Sequence, residues 1–201
     1  QQSFISIGNI LIQGVINTFG SGVIAGYSAA VKLNNLVITS FTTLGNGISN
    51  YTAQNMGAGR WDRVCKGNRI GAAMSVAAVG TVSLGLYFLT APLGGLFVPV
   101  QDAAAVVPQA VAFMRRMAPF FLFYALAESF SGACCGTGDT VRPMILTLLS
   151  ICLLRVLGIL LVLPRQHTME CIIDIYISSW IAAGIGFLIL WQWEKNRVPK
   201  T

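Results

Sequence analysis

Long apolar runs alternate with short polar turns along the whole chain, and the runs show no period of two. Leu33 to Gly59 carries no charged residue, and neither does Ile70 to Gln101. Each run is longer than the about 20 residues a helix needs to cross a bilayer. The stretch Ala53 to Arg63 closes one run and opens the next. Six hydrophobic segments follow from this pattern: Ser3 to Thr18, Val23 to Met56, Ile70 to Val98, Ala104 to Cys135, Pro143 to Leu163 and Cys171 to Trp193. All are predicted helical, because barrel strands would be about 10 residues long with strict alternation.

The fourth segment is not one plain helix. It holds Arg115 and Arg116, and Pro119 follows them. Arginine near the bilayer centre costs several kcal/mol. The pattern therefore predicts a shorter helix near the outer surface, Ala104 to Met117. Pro119 then breaks or kinks the chain into a spanning helix, Phe120 to Cys135.

Composition strengthens the membrane reading. Of 201 residues 55% are hydrophobic and only 10% are charged, against about 25% charged in a soluble domain. The net charge of +6 sits in short loops and the tail, not on one basic face, so it points to lipid headgroups and not to nucleic acid. The loop 57–69, the loop 136–142 and the tail 194–201 together carry eight Lys/Arg. The opposite loops carry only Arg165. The positive-inside rule places the first set, and so the C-terminal tail, in the cytoplasm. Trp191 and Trp193 then fit an aromatic belt at the inner interface.

The chain opens on Gln1-Gln2 with apolar sequence almost at once and no basic n-region before a cleavage site. That predicts no signal peptide and a first helix cut short. Cys65, Cys134, Cys135, Cys152 and Cys171 are odd in number and lack metal spacing, which favours buried free thiols. His167 is the only histidine, and no nucleophile with a base is legible. Metal binding and enzymatic chemistry are not expected.

Three pieces in order resemble the multidrug and toxic compound extrusion (MATE) family. Gln54-Asn55-Met56-Gly57-Ala58-Gly59-Arg60, with Asp62-Arg63, looks like the loop after its eighth helix. Ala118-Pro119-Phe120-Phe121 and Glu128 are similar to its tenth helix. Gly136-Thr137-Gly138-Asp139, with Arg142-Pro143, looks like its turn between helices ten and eleven; Cys135 stands where members often carry Arg. The resemblance implies an all-α polytopic membrane protein. Residues 1–201 would be the C-terminal six-helix transmembrane bundle, one lobe of a twelve-helix inverted V, with 194–201 as a cytoplasmic tail. It further implies a multi-pass plasma-membrane antiporter, exporting drugs and organic cations by alternating access. No cofactor is implied beyond a coupling ion, sodium or proton. The implied partners are the lipid bilayer, a small amphipathic or cationic substrate and the N-terminal six-helix bundle. Two other readings stand beside this one: a lipid-linked oligosaccharide flippase of related architecture, and a non-transporting membrane scaffold.

Glu128 is the only acid well inside a predicted span, and an ionisable group at membrane depth is a functional candidate. It reads as a cation or proton site tuned by Arg155, or as the structural partner of Arg155. The family's helix-ten acid would fall about one turn earlier, near Tyr124, and its helix-seven acid before Gln1. Gln13, Asn17, Lys32, Asn35 and Tyr124 are assigned to the substrate cleft. Lys32 has snorkelling outward as its alternative, and the amides have helix-to-helix bonding as theirs. Gly57 and Gly59 read as a helix stop and not a phosphate loop. Asp139 or Thr140 reads as the cap of a helix with Pro143 in its first turn. Gly22 with Gly26 and Gly132 with Gly136 have a spacing that permits close helix contact.

Overall fold

The chain is described by a computed structural model covering residues 9–10, 12–19, 21–95, 103–164 and 168–197. The start of the first segment, most of the loop 99–103, Arg165, His167 and residues 198–201 lie outside these. Every regular element described is helical. The first, α1, is helical at 9–10 and 12–16. Then come α2 (Ser21–Gly57), α3 (Trp61–Gly95), α4 (Ala103–Met117), α5 (Phe121–Gly136), α6 (Val141–Thr147), α7 (Leu154–Leu161) and α8 (Met169–Arg197).

Four helical stretches among the described residues are long and apolar enough to cross a membrane: Trp61–Leu93, Val106–Gly136, Val141–Leu161 and Met169–Arg197. Three of them carry exposed Leu84, Phe88, Leu149, Leu160 and Ile189, as a lipid-facing surface requires. At 37 residues, α2 is long enough as well, about 55 Å at 1.5 Å per residue. A polar stripe, Asn35, Thr39, Thr43 and Asn46, keeps it below the apolarity of the other four. Thr39 and Thr43 return their hydroxyls to the carbonyls of Asn35 and Thr39, at 2.8 and 2.9 Å. The backbone thus satisfies them without a neighbouring helix.

The break at Pro119 is present. A short 3-10 turn, Ala118–Phe120, joins α4 to α5. Ser83 of α3 donates its hydroxyl to the Ala118 carbonyl at 2.9 Å, which covers a backbone acceptor at the bend. Arg116, near the end of α4, makes a two-pronged bond to Asp174 of α8 with contacts of 2.8–3.0 Å. Arg115 donates to the Tyr87 carbonyl at 3.2 Å and lies over that ring. The two arginines thus tie α4 to α8 and α3.

Two expected boundaries move. α3 begins at Trp61, nine residues before the apolar run, so Arg63, Lys66 and Arg69 stand on helix and not in a loop. α8 continues through Arg197, so 194–197 is not a loose tail. Glu194 is buried there and bonds Arg142 at 3.1 Å, which holds the last turn in place. Trp191 also departs from the belt: it is buried, with its ring 6.1 Å from that of Trp61. Trp193 is exposed, with the Arg142 guanidinium 4.2 Å from its ring centre.

α5 is the central helix, packed against α2, α8 and α3. Glycine sets how closely it meets α2. A side chain at Gly132 would collide with the Gly45 carbonyl, and one at Gly136 would meet Ser49 and Thr52. The backbones touch there, as small residues permit. Gly26 meets α4 at Val106 and Gln109, while Gly22 meets nothing. All five cysteines are free, and Cys134 and Cys171 are buried.

Candidate functional site

The turn motifs are structural in detail. α2 ends in a pair of bonds, Gly59 N–H to the Met56 carbonyl and Arg60 N–H to the Asn55 carbonyl, at 3.0 and 2.8 Å. Gly59 holds φ +68°. This is the left-handed helix stop that glycine alone takes without strain. Gly57 is simply the last helical residue. Gln54 accepts from the Ala58 N–H, and the Asn55 side chain binds the Tyr51 carbonyl. The Arg63 carbonyl accepts from Tyr51. Gly138 repeats the left-handed conformation after α5, at φ +96°.

At the next helix start Thr140 makes no capping bond. The Asp139 carboxylate accepts from the Arg142 N–H at 3.2 Å and takes its guanidinium at 2.8 Å. Pro143 sits buried in the first turn. Burial alone would raise the Asp139 carboxyl. The Arg142 N–H, a bond to Glu194 and the Arg142 guanidinium together hold it below the usual carboxylate range.

Beside α2 lies a cavity of about 520 Å³, lined chiefly by that helix, with residues from α1, α4, α5, α7 and α8. Gln13, Asn35, Tyr124 and Arg155, all assigned to the site from sequence, line it. Asn17 does not; it accepts a bond from Gln13 at 3.2 Å. Lys32 lines a shallower groove with Asn35, Thr39 and Thr43 on the outer face of α2. Asn9, Tyr27, Asn34, Thr42, Tyr176 and Trp180 complete much of the main lining. Tyr27, Tyr176 and Trp180 escape a sequence reading because aromatic residues in apolar runs look like core. The Tyr27 and Tyr176 hydroxyls meet at 3.2 Å, and Trp180 packs on Tyr124 and Phe121.

Glu128 faces a smaller pocket of about 120 Å³, with Thr42, Asn46, Ser49, Tyr124 and Ser131. Thr42, Asn46, Tyr124 and Ile151 line both spaces, so the two adjoin. The expected partnership of Glu128 with Arg155 is not formed: no ion pair joins them among the described residues. Arg155 instead donates Nε to Ser179 Oγ and one terminal nitrogen to Asn9 Oδ1, both at 3.1 Å. Its guanidinium lies 4.2 Å from the Tyr176 ring centre. The Tyr124 hydroxyl lies 3.4 Å from that of Thr42, and both residues border the two spaces.

A π-helical turn, Leu148–Leu153, precedes Arg155. Its extra width re-aims the residues that follow. Arg155 is buried, while Leu149, Leu153 and Leu157 of the same span are exposed.

The MatE family model matches residues 1–161. Over 201 residues the chain is 19% identical to "Probable multidrug resistance protein YoeA" of Bacillus subtilis (strain 168), covering 98% of this chain and 42% of that protein. It is 24% identical over 155 residues to "Probable multidrug resistance protein YpnP" of the same organism, covering 77% of this chain and 34% of the relative. The chain thus spans less than half the length of the curated relatives it matches. With the family matched across most of its length and an all-helical, lipid-facing bundle around a polar cavity, the chain belongs to the multidrug and toxic compound extrusion (MATE) family.

Proposed function

We propose that this chain is one lobe of a cation-coupled exporter of amphipathic drugs, organic cations among them. The observation that carries the reading is Glu128, an acid on an apolar spanning helix, in a polar pocket that opens onto the main cavity. An ion bound at Glu128 is sensed next door through Tyr124, Thr42 and Asn46, which belong to both spaces. That shared wall is a physical route for linkage between ion and substrate. Alternating access then follows from differential binding to outward- and inward-facing states. Lys32, Asn35, Thr39 and Thr43 form a polar outer face on α2, suited to a second helical bundle across a cleft. On this reading it is a plasma-membrane protein with its C-terminus in the cytoplasm, as the Lys/Arg-rich loops support.

Efflux of fluorescent amphipathic dyes from vesicles holding the intact transporter tests this. Sodium and proton gradients are imposed separately, which distinguishes the coupling ion. Gradient-driven efflux is expected in the wild type and at least about tenfold less in Glu128→Gln. Equal efflux in both would make Glu128 structural. No efflux from the wild type under either gradient would favour the flippase or scaffold reading.

A further inference from the structure

The start of α3 is dense in positive charge. Between residues 57 and 69 stand Arg60, Arg63, Lys66 and Arg69, with Asp62 the single acid. All four cations are exposed. Next to them α2 and α3 enclose an apolar groove of about 360 Å³. Gly47 and Tyr51 line it from α2, and Gly67, Ile70, Gly71 and Met74 line it from α3.

Glycine shapes this groove. A side chain at Gly67 would strike the Tyr51 ring, and one at Gly71 would strike Ile48. The two helices therefore lie close along its floor. A side chain at Gly47 would meet nothing in this chain, which leaves one wall open. Arg63, Gly67, Ile70 and Met74 follow at helical spacing and share one face of α3. Arg60 stands three positions before Arg63, on the same side. The Tyr51 hydroxyl donates to the Arg63 carbonyl at 3.5 Å. Its ring thus lies in the groove and its polar end among the cations.

The dimensions are those of a lipid chain. Arg63 to Met74 spans about 16 Å of helix, and one leaflet of the hydrocarbon core is about 15 Å thick. Spread over that length, the groove has a section of about 22 Å², which takes one extended hydrocarbon chain and not a helix about 10 Å across. A chain seated there brings its headgroup to Arg60 and Arg63. Two guanidiniums match a headgroup of net negative charge, whereas a zwitterionic one carries its own ammonium to the same place. The positive-inside rule sets this end against the leaflet where anionic lipids concentrate.

We propose that the groove between α2 and α3 holds one anionic phospholipid, with an acyl chain against Ile70 and Met74 and its phosphate on Arg60 and Arg63. The site is independent of the exporter reading.

The intact transporter in mild detergent is titrated with phosphatidylglycerol or with phosphatidylcholine of the same acyl chains. Native mass spectrometry counts the lipid retained. Wild type is expected to hold one phosphatidylglycerol about tenfold tighter than phosphatidylcholine. Replacing both arginines, Arg60→Gln with Arg63→Gln, is expected to cut that ratio to about twofold or less. Gly47→Leu fills the open wall, and is expected to weaken the tight lipid at least about tenfold with an unchanged melting temperature. A wild type without headgroup preference overturns the proposal. A preference that survives loss of both arginines overturns it too, because the lipid then sits elsewhere. Gly47→Leu with a lowered melting temperature and undisturbed lipid binding would assign the groove to another part of the transporter, and also overturns it. If Gly47→Leu does not fold, the wild-type ratio and the arginine variant decide.

Discussion

Asp139 shows how much one side chain does in this molecule. It caps the helix that carries Arg155, and it holds Arg142, which in turn reaches Glu194 on α8. Its carboxyl lies below the ordinary value, so its contribution to stability is present above about pH 4. That contribution is lost as pH falls through the depressed folded value. Arg142 is partly exposed, which screens the pair. Asp139→Asn is expected to cost about 1 kcal/mol or less near neutral pH. The difference in melting temperature between wild type and variant should close in strong acid, and thermal melts across pH check this. At the same scale, Glu128 and Arg155 read alike in sequence as charges out of place. Their surroundings differ: hydroxyl and amide side chains line the pocket beside Glu128, while neutral acceptors and a ring face meet Arg155.

Among elements, the contact of α2 with α5 decides most. Both pockets lie along it, and Gly45, Gly132 and Gly136 bring the two backbones together. Gly132→Ala puts a methyl against the Gly45 carbonyl and is expected to cost about 1–3 kcal/mol by overpacking. Gly47→Ala, on the same helix as Gly45 but with open space around it, should stay within about 0.5 kcal/mol of wild type. Melting of both variants in detergent makes the comparison, and equal losses would deny the close approach its role. The π turn ahead of Arg155 is the second decisive element. A regular helix would carry the same residues with a different rotation at its far end.

For the whole molecule, lipid replaces water as the surrounding solvent. Leucine and phenylalanine cover much of the outside of α3, α7 and α8, while polar residues gather at the cavities and along one exposed stripe of α2. Glu128 and Arg155 therefore sit inside the bundle, where a soluble protein would keep apolar side chains. The cationic end, with Arg60, Arg63, Lys66, Arg69, Arg142, Lys195 and Arg197, is expected to face the cytoplasm. A protease-sensitive tag at the C-terminus should be cut in inside-out vesicles and protected in intact cells. Cutting in intact cells would reverse the orientation.

The amino-acid sequence by itself determined the helical character of the runs, the break at Pro119 and the glycine stop at Gly59, and it narrowed the next cap to Asp139 or Thr140. Each depends on neighbours within a few positions: an apolar run, a missing N–H, a residue tolerant of positive φ. The family was legible for the same reason, because its motifs are local turns. Sequence also singled out Glu128 and Arg155, since charge in an apolar run stands out. One of its two readings paired them, and no ion pair joins them among the described residues. Tertiary structure alone decided which faces meet. It brought Asn9, Tyr27, Tyr176 and Trp180 around Arg155 across up to 146 positions of chain, and it set Glu128 in a separate pocket. The physical reason is rotation about the helix axis. Hydropathy fixes how long a helix is in lipid, but not which way it turns, because the apolar positions run all round it. Glycine contacts and one wide turn settle that angle, and with it the site.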